Sequence, residues 1–183
     1  MAKCGETGEN KSPSFFSFVS LDRAMPDLDS TDRRLLMLLQ RNNRRRLRDL
    51  AAELSISAPT CLRRMRRLEA SGVIRSHSAI LDARRIGLTV TAFIEVALVD
   101  PSGAEMTSFE RRMQHCAEVV QCSELAGDVD YLLTVLAADM PAFAQFTRRH
   151  LADDRRIRSY RSLLVLRQTK NESALPLRSG RQP

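Results

Sequence analysis

Residues 57–74 read SAPTCLRRMRRLEASGVI, and the arginines in this stretch are spaced so that most of them share one side of a helix. On a 3.6-residue wheel Cys61, Met65 and Leu68 turn inward with Leu62 flanking them. Thr60, Arg63, Arg66 and Arg67 then point outward, and Arg64 lies at the boundary. A guanidinium can fork onto guanine O6 and N7, and Ser or Thr hydroxyls reach phosphate or base. An apolar back with a donor-rich front is what a helix needs to enter the major groove of duplex DNA. Such helices enter mainly by their N-terminal end, so Ser57, Ala58, Pro59 and Thr60 are expected nearest the bases. Arg63 and Arg67 can meet either base or phosphate. Arg44, Arg45 and Arg46, just ahead of the preceding helix, are expected to clamp phosphates. An arginine run alone is more often a solvated face, so the elements around it must decide.

Those elements are three helices. Residues 28–41 (LDSTDRRLLMLLQR) open with Asp29 at an N-cap and Asp32 three residues on. Carboxylates there suit the unpaired amides and the positive end of a helix. Leu35, Leu36 and Leu39 supply its apolar stripe, and Asn42-Asn43 ends it. Leu47, Leu50, Ala51 and Leu54 follow the i, i+3, i+4, i+7 pattern of a short second helix. Ser55-Ile56-Ser57 is a tight connection. Ser57 caps a third helix, Pro59 sits in its first turn where proline costs no hydrogen bond, and Gly72 stops it. Two helices joined so closely make a helix-turn-helix. Val73-Ile74 and Ala79-Ile80-Leu81 flank a polar stretch that can form a small β-wing, and Ile86-Gly87-Leu88 reads as a hinge. A winged helix-turn-helix over residues 28–88 is therefore expected.

The remainder has another rhythm. Ala92, Ile94, Val96 and Leu98 alternate along a strand over residues 90–99, and Met106, Phe109 and Met113 mark a helix after Pro101-Gly103. Residues 119–125 and Tyr131–Leu136 predict two strands around the turn AGDVD at 126–130. Met140, Phe143 and Phe146 predict a second helix, and Ile157–Arg167 a long last strand. The order β-α-β-β-α-β is the ferredoxin-like split motif, placed over residues 89–168, so the fold class is α+β. Residues 1–27 are expected to be a disordered extension, and residues 169–183 a frayed polar tail.

Charge divides the chain in the same place. Residues 28–90 hold 14 arginines against 6 acids, whereas residues 91–183 hold 12 basic and 12 acidic residues. The net +7 of the whole chain thus sits in one module and asks for a polyanionic partner. Hydrophobic residues make up 43% and charged residues 28%, ordinary for a globular protein, and with no Trp the core must rest on aliphatic residues, Met and Phe. Residues 14–21 (SFFSFVSL) are too short and lack the flanks for a membrane span or leader. Four cysteines without CxxC spacing fit a reduced cytoplasmic protein, and Cys61 reads as a small core residue.

Taken together, LDSTDRRLL (28–36), SAPTCLRRMRRLEASGVI (57–74), AGDVDYLL (126–133) and the closing Lys170 with LPL (175–177) resemble the leucine-responsive regulatory protein/asparagine-regulator (Lrp/AsnC, feast/famine) family of transcription regulators, in matching order and spacing. The resemblance spans roughly residues 28–177. It implies that the second half is a RAM/ACT-like module for ligand binding and assembly. It further implies homodimers formed through the sheets, commonly gathered into octamers around which DNA can wrap, in the bacterial cytoplasm and nucleoid. An amino acid or related metabolite would bind near the turn that matches Gly127, Asp128, Asp130 and Tyr131. The chemistry of the turn suits this: Gly127 frees amides for a carboxylate, Asp128 or Asp130 can pair with an ammonium, and Tyr131 offers a flat wall with a hydroxyl. Two positions depart from the family pattern. Ser55 stands where many relatives carry glycine, and Arg63 stands where they often carry an acidic or neutral residue.

Two other functions are compatible with parts of the sequence. A branch of this architecture resembles sirohaem-type decarboxylases, which would want histidines in one pocket, yet His77, His115 and His150 are scattered along the chain. A DNA-compacting architectural protein without a ligand would share the helix-turn-helix. Neither GxSxG, a P-loop nor HExxH occurs, and His115, Cys116 and Cys122 have the wrong spacing for zinc, so neither an enzyme, a cofactor nor a metal is expected.

Overall fold

The computed structural model describes residues 27–177, which form two compact units. Residues 1–26 and 178–183 lie outside the described residues, and with them nearly all of the N-terminal extension expected to be disordered.

The first unit, residues up to Ala79 together with those from Asn171 on, is built on three helices. Helix α1 is Ser30–Arg41, α2 Leu47–Glu53 and α3 Ala58–Ala70. Asp29 caps α1 as its sequence position predicts, in a reciprocal capping box. Its carboxylate accepts from the Asp32 amide at 2.7 Å, and the Asp32 carboxylate accepts from the Asp29 amide at 3.3 Å. Leu35, Leu36, Leu39, Leu50, Ala51, Leu54, Cys61 and Leu68 meet in one core, which seats α3 on the first two helices. Cys61 is wholly buried within it.

The connection from α2 to α3 turns on Ser55, whose φ of 55° makes it the one non-glycine residue with positive φ among the described residues. The Ser55 amide donates to the Ala52 carbonyl (3.1 Å) and the Ile56 amide to the Ala51 carbonyl (3.0 Å). This is the Schellman pattern of a helix end, with serine at the left-handed position normally held by glycine. At the other end of α3, Gly72 at φ 74° is the stop that the sequence predicts.

Two expectations for this unit need correction. The β-wing is missing: residues 71–82 contain no strand, and Val73-Ile74 lie in a bend, packed by their side chains against the helical core. Residues 75–81 are mostly polar, and Ile80 and Leu81 are 78% and 67% exposed, so no buried face fixes a hairpin register there. The C-terminal segment, in turn, is not a frayed tail throughout. Gln40 on α1 donates to the Leu175 carbonyl (3.2 Å) and accepts from the Leu175 amide (2.5 Å), and Leu177 packs against the three-helix core. The apolar Leu-Pro-Leu triplet within a polar stretch is the physical reason.

The second unit, Ile80–Lys170, begins with a 3₁₀ turn, Arg84–Ile86, closed by Gly87 at φ 89°. Strand β1 (Val90–Leu98), helix α4 (Gly103–Gln114), strands β2 (Val119–Glu124) and β3 (Tyr131–Ala137), helix α5 (Met140–Thr147) and strand β4 (Ile157–Leu164) follow. The sheet is antiparallel in the order β2-β3-β1-β4, a ferredoxin-like arrangement. Ala92, Ile94, Val96 and Leu98 alternate into the core, as the sequence predicts, beside Tyr131, Leu133 and Val135. Phe109 and Met113 of α4 and Phe143 and Phe146 of α5 cover them. After α5 the chain runs through a π turn, Arg148–Ala152, which buries Leu151. Strand β4 is shorter than expected because its partner runs out: Leu164 already pairs with Ala92, near the start of β1.

Replacing Ser55 with glycine removes the Cβ penalty of a left-handed residue, of about 1–2 kcal/mol, against a smaller entropic gain by the unfolded chain. Ser55→Gly should therefore stabilise the fold by about 0.5–1 kcal/mol, read as a higher urea midpoint with unchanged m-value. A lower midpoint would contradict the strain assigned to this turn.

Candidate nucleic-acid interface and ligand turn

The sequence places Ser57 at the N-cap of α3, and it is there. Its hydroxyl accepts from the Thr60 amide at 3.4 Å and donates to the Thr60 hydroxyl at 2.9 Å. Both hydroxyls thereby hold the first turn. Pro59 is exposed beside them, while Ala58 and Thr60 are half-buried. One turn on, Arg63 and Arg66 are exposed, and no ion pair or hydrogen bond of their side chains is found among the described residues.

The other two arginines of α3 are differently placed. Arg64 is half-buried, and one of its terminal nitrogens donates to Asp29 at 2.6 Å and to Asp32 at 2.8 Å. Arg67 is largely exposed but also pairs with the second oxygen of Asp32. Asp32 is wholly buried, the only charged residue so placed among the described residues. A buried carboxylate must be compensated by donors, and here two guanidiniums and a helix-cap amide do so. Burial pushes the Asp29 carboxyl up, but the Asp32 amide and the Arg64 guanidinium together outweigh this and hold it below its ordinary value.

Arg64, expected at the DNA-facing boundary, therefore turns back toward α1. Arg45 is likewise drawn into an ion pair. It is half-buried and pairs with Glu53 at 2.5 Å, while Arg44 and Arg46 beside it stay exposed. From the sequence, Asp29 and Asp32 read only as helix-capping acids, Arg64 is placed only by its wheel position, and Arg45 reads as a phosphate clamp. The pairing partners lie 8 to 35 residues away, beyond any local pattern.

In the second unit the turn between β2 and β3 carries Gly127, Asp128, Asp130 and Tyr131. Gly127 has φ 157° with open space where a Cβ would stand. Asp128 is exposed, with no bonded partner among the described residues. Asp130 is the anchor of the turn: its amide donates to the Val96 carbonyl (2.9 Å), its carbonyl accepts from the Leu125 amide (2.8 Å), and its carboxylate accepts from the Leu98 amide (2.7 Å).

Tyr131 does not stand as a free wall. It is 1% exposed, its ring lies 4.7 Å from that of Phe109, and its hydroxyl donates to Glu110 at 3.0 Å. Burial, with the Glu110 carboxylate beside it, pushes the phenol well above its ordinary value, so it stays a neutral donor. Its edge instead borders a cleft of about 340 Å³ between α4 and β2, which Glu110, Gln114, Cys122 and Glu124 also line. Nothing local in the sequence signalled this cleft.

Each histidine has a partner of its own. His77 lies in the first unit against Glu69 at 3.1 Å, His115 bonds the Arg111 carbonyl at 2.6 Å, and His150 stacks on Phe146 and meets Cys116 at 3.4 Å. Among the described residues no three His, Cys, Asp or Glu side chains gather as a metal site, and no helix is long and apolar enough to cross a membrane.

Comparison with known proteins agrees with this geometry. Residues 28–75 match the model of a winged helix-turn-helix DNA-binding domain, and residues 91–175 that of the Lrp/AsnC ligand binding domain. The chain is 36% identical to an HTH-type transcriptional regulator of Haemophilus influenzae, over 89% of this chain and 98% of that protein. It is 34% identical to the leucine-responsive regulatory protein of Rhizobium meliloti, over 79% of this chain and 93% of that one. Among solved structures, a transcriptional regulator of Neisseria meningitidis in complex with L-methionine superposes with a TM-score of 0.78 at 32% identity, covering 82% of this chain and 97% of that one.

The Asp29 cap gives a pH signature. Because its carboxyl is depressed in the folded state, its stabilisation is complete above the unfolded value of 3.8 and is lost as pH falls through the lower folded value. The difference in unfolding free energy between wild type and Asp29→Asn should thus be flat from neutral pH down to about pH 5 and shrink below about pH 4. A difference that already shrinks above pH 5 would exclude the cap as its source.

Proposed function

The chain belongs to the Lrp/AsnC family of DNA-binding transcriptional regulators, and from that premise we propose which of its residues read DNA and which receive a metabolite. The first turn of α3, with Ser57, Ala58, Pro59 and Thr60, enters the major groove. Arg63 and Arg66 follow it, contacting base edges or phosphates. Arg44 and Arg46 clamp the backbone at the start of α2. The observation that carries this reading is the exposure of Arg63 and Arg66, free of carboxylate partners, on a helix whose opposite face is seated in the core.

The effector we propose is an amino acid, bound at the turn of residues 127–131. A relative of similar fold holds L-methionine, which supports this class of ligand. Asp130 is occupied in pinning the turn to β1, which leaves Asp128 as the carboxylate available to an α-ammonium, with amides around Gly127 for the carboxylate. We further propose a cytoplasmic, nucleoid-associated homodimer, gathered into an octamer. The sheet face opposite the helices supports pairing through the sheets. Phe93 and Leu163 are cross-strand neighbours there, 37% and 42% exposed, beside a forked Arg161–Glu95 ion pair with bonds of 2.8 and 3.0 Å. The effector would act by changing assembly or the geometry of the DNA-reading modules, which requires different affinities for the two states.

Arg63→Ala or Arg66→Ala should weaken binding to a selected duplex by about 1–3 kcal/mol where the side chain forks onto a base. Where it meets only phosphate, the loss should be equal on all sequences, with a shallower salt dependence. Gel shifts on selected and random duplexes distinguish the two, and unchanged binding by both variants would refute this face. For the ligand, a thermal-shift screen of the common amino acids should return a stabilising ligand, and Asp128→Ala should abolish its effect while DNA affinity stays the same. Joint loss of ligand response and DNA binding in that variant would count against a separable sensor.

A further inference from the structure

Four guanidiniums project from α3, yet two of them are neutralised from behind. Asp32 is wholly buried and offers one oxygen to Arg64 and the other to Arg67, and Asp29 takes Arg64 as well. Arg63 and Arg66 have no such counter-charge among the described residues. We propose that Asp32, assisted by Asp29, is a specificity-determining element of the DNA reader: it withholds Arg64 and Arg67 from the phosphate backbone and fixes the helix so that Arg63 and Arg66 alone carry its long-range attraction. This inference rests on α3 being the DNA-reading helix.

The reasoning is electrostatic. Each free arginine that reaches a phosphate releases about one counterion, and adds affinity that is blind to sequence. A helix with four free guanidiniums would hold any duplex strongly, and would raise affinity for the many competing sites as much as for its own. Specificity is a difference of affinities, so removing blind contacts improves it even at a loss of total binding. Direct bonding to a buried acid also fixes both side chains. Arg64 spends Nη1 on both aspartates and its Nε is buried without a partner, so Nη2 is its one uncommitted donor. Arg67 has a side-chain exposure of 55%, but its Nη2 is tied to Asp32. These carboxylates thereby make the arginine-rich helix less basic than its sequence.

The prediction runs opposite to that of a merely structural residue. Asp32→Asn keeps the shape but removes the charge, releasing Arg64 and Arg67. Binding to a random-sequence duplex should tighten, and the slope of log K against log salt should steepen by about one to two per DNA-bound α3. The preference for a duplex selected from a random pool should fall, on the order of tenfold. Asp32→Glu, which restores the charge, should recover much of the wild-type slope. A structural role alone would weaken binding to both duplexes and leave the slope unchanged.

Should Asp32→Asn fail to fold by circular dichroism, Asp29→Asn decides the matter. Asp29 is half exposed and shares only Arg64, so a smaller steepening is expected there. A folded variant with wild-type slope and wild-type preference overturns the inference. The double variant Arg63→Ala/Arg66→Ala, measured beside it, separates this from the premise. If that variant still binds random duplex like wild type, the assignment of α3 as the reading face fails. If it loses binding while the aspartate variants are silent, only the role of Asp32 is lost.

Discussion

The burial of one carboxylate organises the DNA-reading unit. Asp32 sits with no solvent contact between α1 and α3, and an isolated charge there would be costly. It is tolerable because the same oxygens close the capping box of α1 and receive Arg64 and Arg67 from α3. Helix start, helix packing and arginine orientation are thereby tied to a single group. The apolar stripe of α3 seats it against the other helices, and the ion pairs draw Arg64 and Arg67, at the edge of that stripe, toward α1.

The sensor unit has a comparable constraint in Asp130. Its bonds to Val96 and Leu98 lock the β2–β3 turn to the end of β1, an inner strand of the sheet, and its bond to Leu125 closes the turn itself. The turn is therefore a rigid platform, although Gly127 and Asp128 at its tip are exposed. A rigid base with an open tip suits ligand capture, since little ordering cost is left to be met on binding. Tyr131 extends the platform inward, joining the turn to the Phe109 layer and to the cleft beside Glu110 and Glu124. Asp130, the anchored end of the turn, is thus one residue away from the packed core.

The places where local rules are broken are informative too. Serine occupies a left-handed position at the helix-helix connection, at a cost in stability that the Schellman bonds and the packing of Leu54 and Ile56 must offset. The segment expected as a wing makes no ladder and leaves Ile80 and Leu81 exposed. Leu177, in a stretch that reads as polar tail, returns to the helical core.

Apart from the 3₁₀ turn at Arg84–Ile86 and the π turn at Arg148–Ala152, the chain determined from its residues alone the helices α1 to α5 and the strands β1 to β4, the N-caps at Asp29 and Ser57, the stop at Gly72 and the alternation of β1. These follow from periodicity and capping chemistry, which act over a few residues and are written in consecutive positions. The family and the basic face of α3 were equally legible, because composition and short motifs carry them. Tertiary structure alone decided which arginines are free. Arg63 and Arg64 are neighbours of identical chemistry, and only the approach of Asp29 and Asp32 from the first helix and its cap separates an exposed, unpaired cation from an internally paired one. The same holds for Asp128 and Asp130, two residues apart, of which one is bound by the backbone of β1 and one is not. Local sequence fixes the type of each side chain, but its availability depends on charges and amides brought near by folding, at separations no local pattern records.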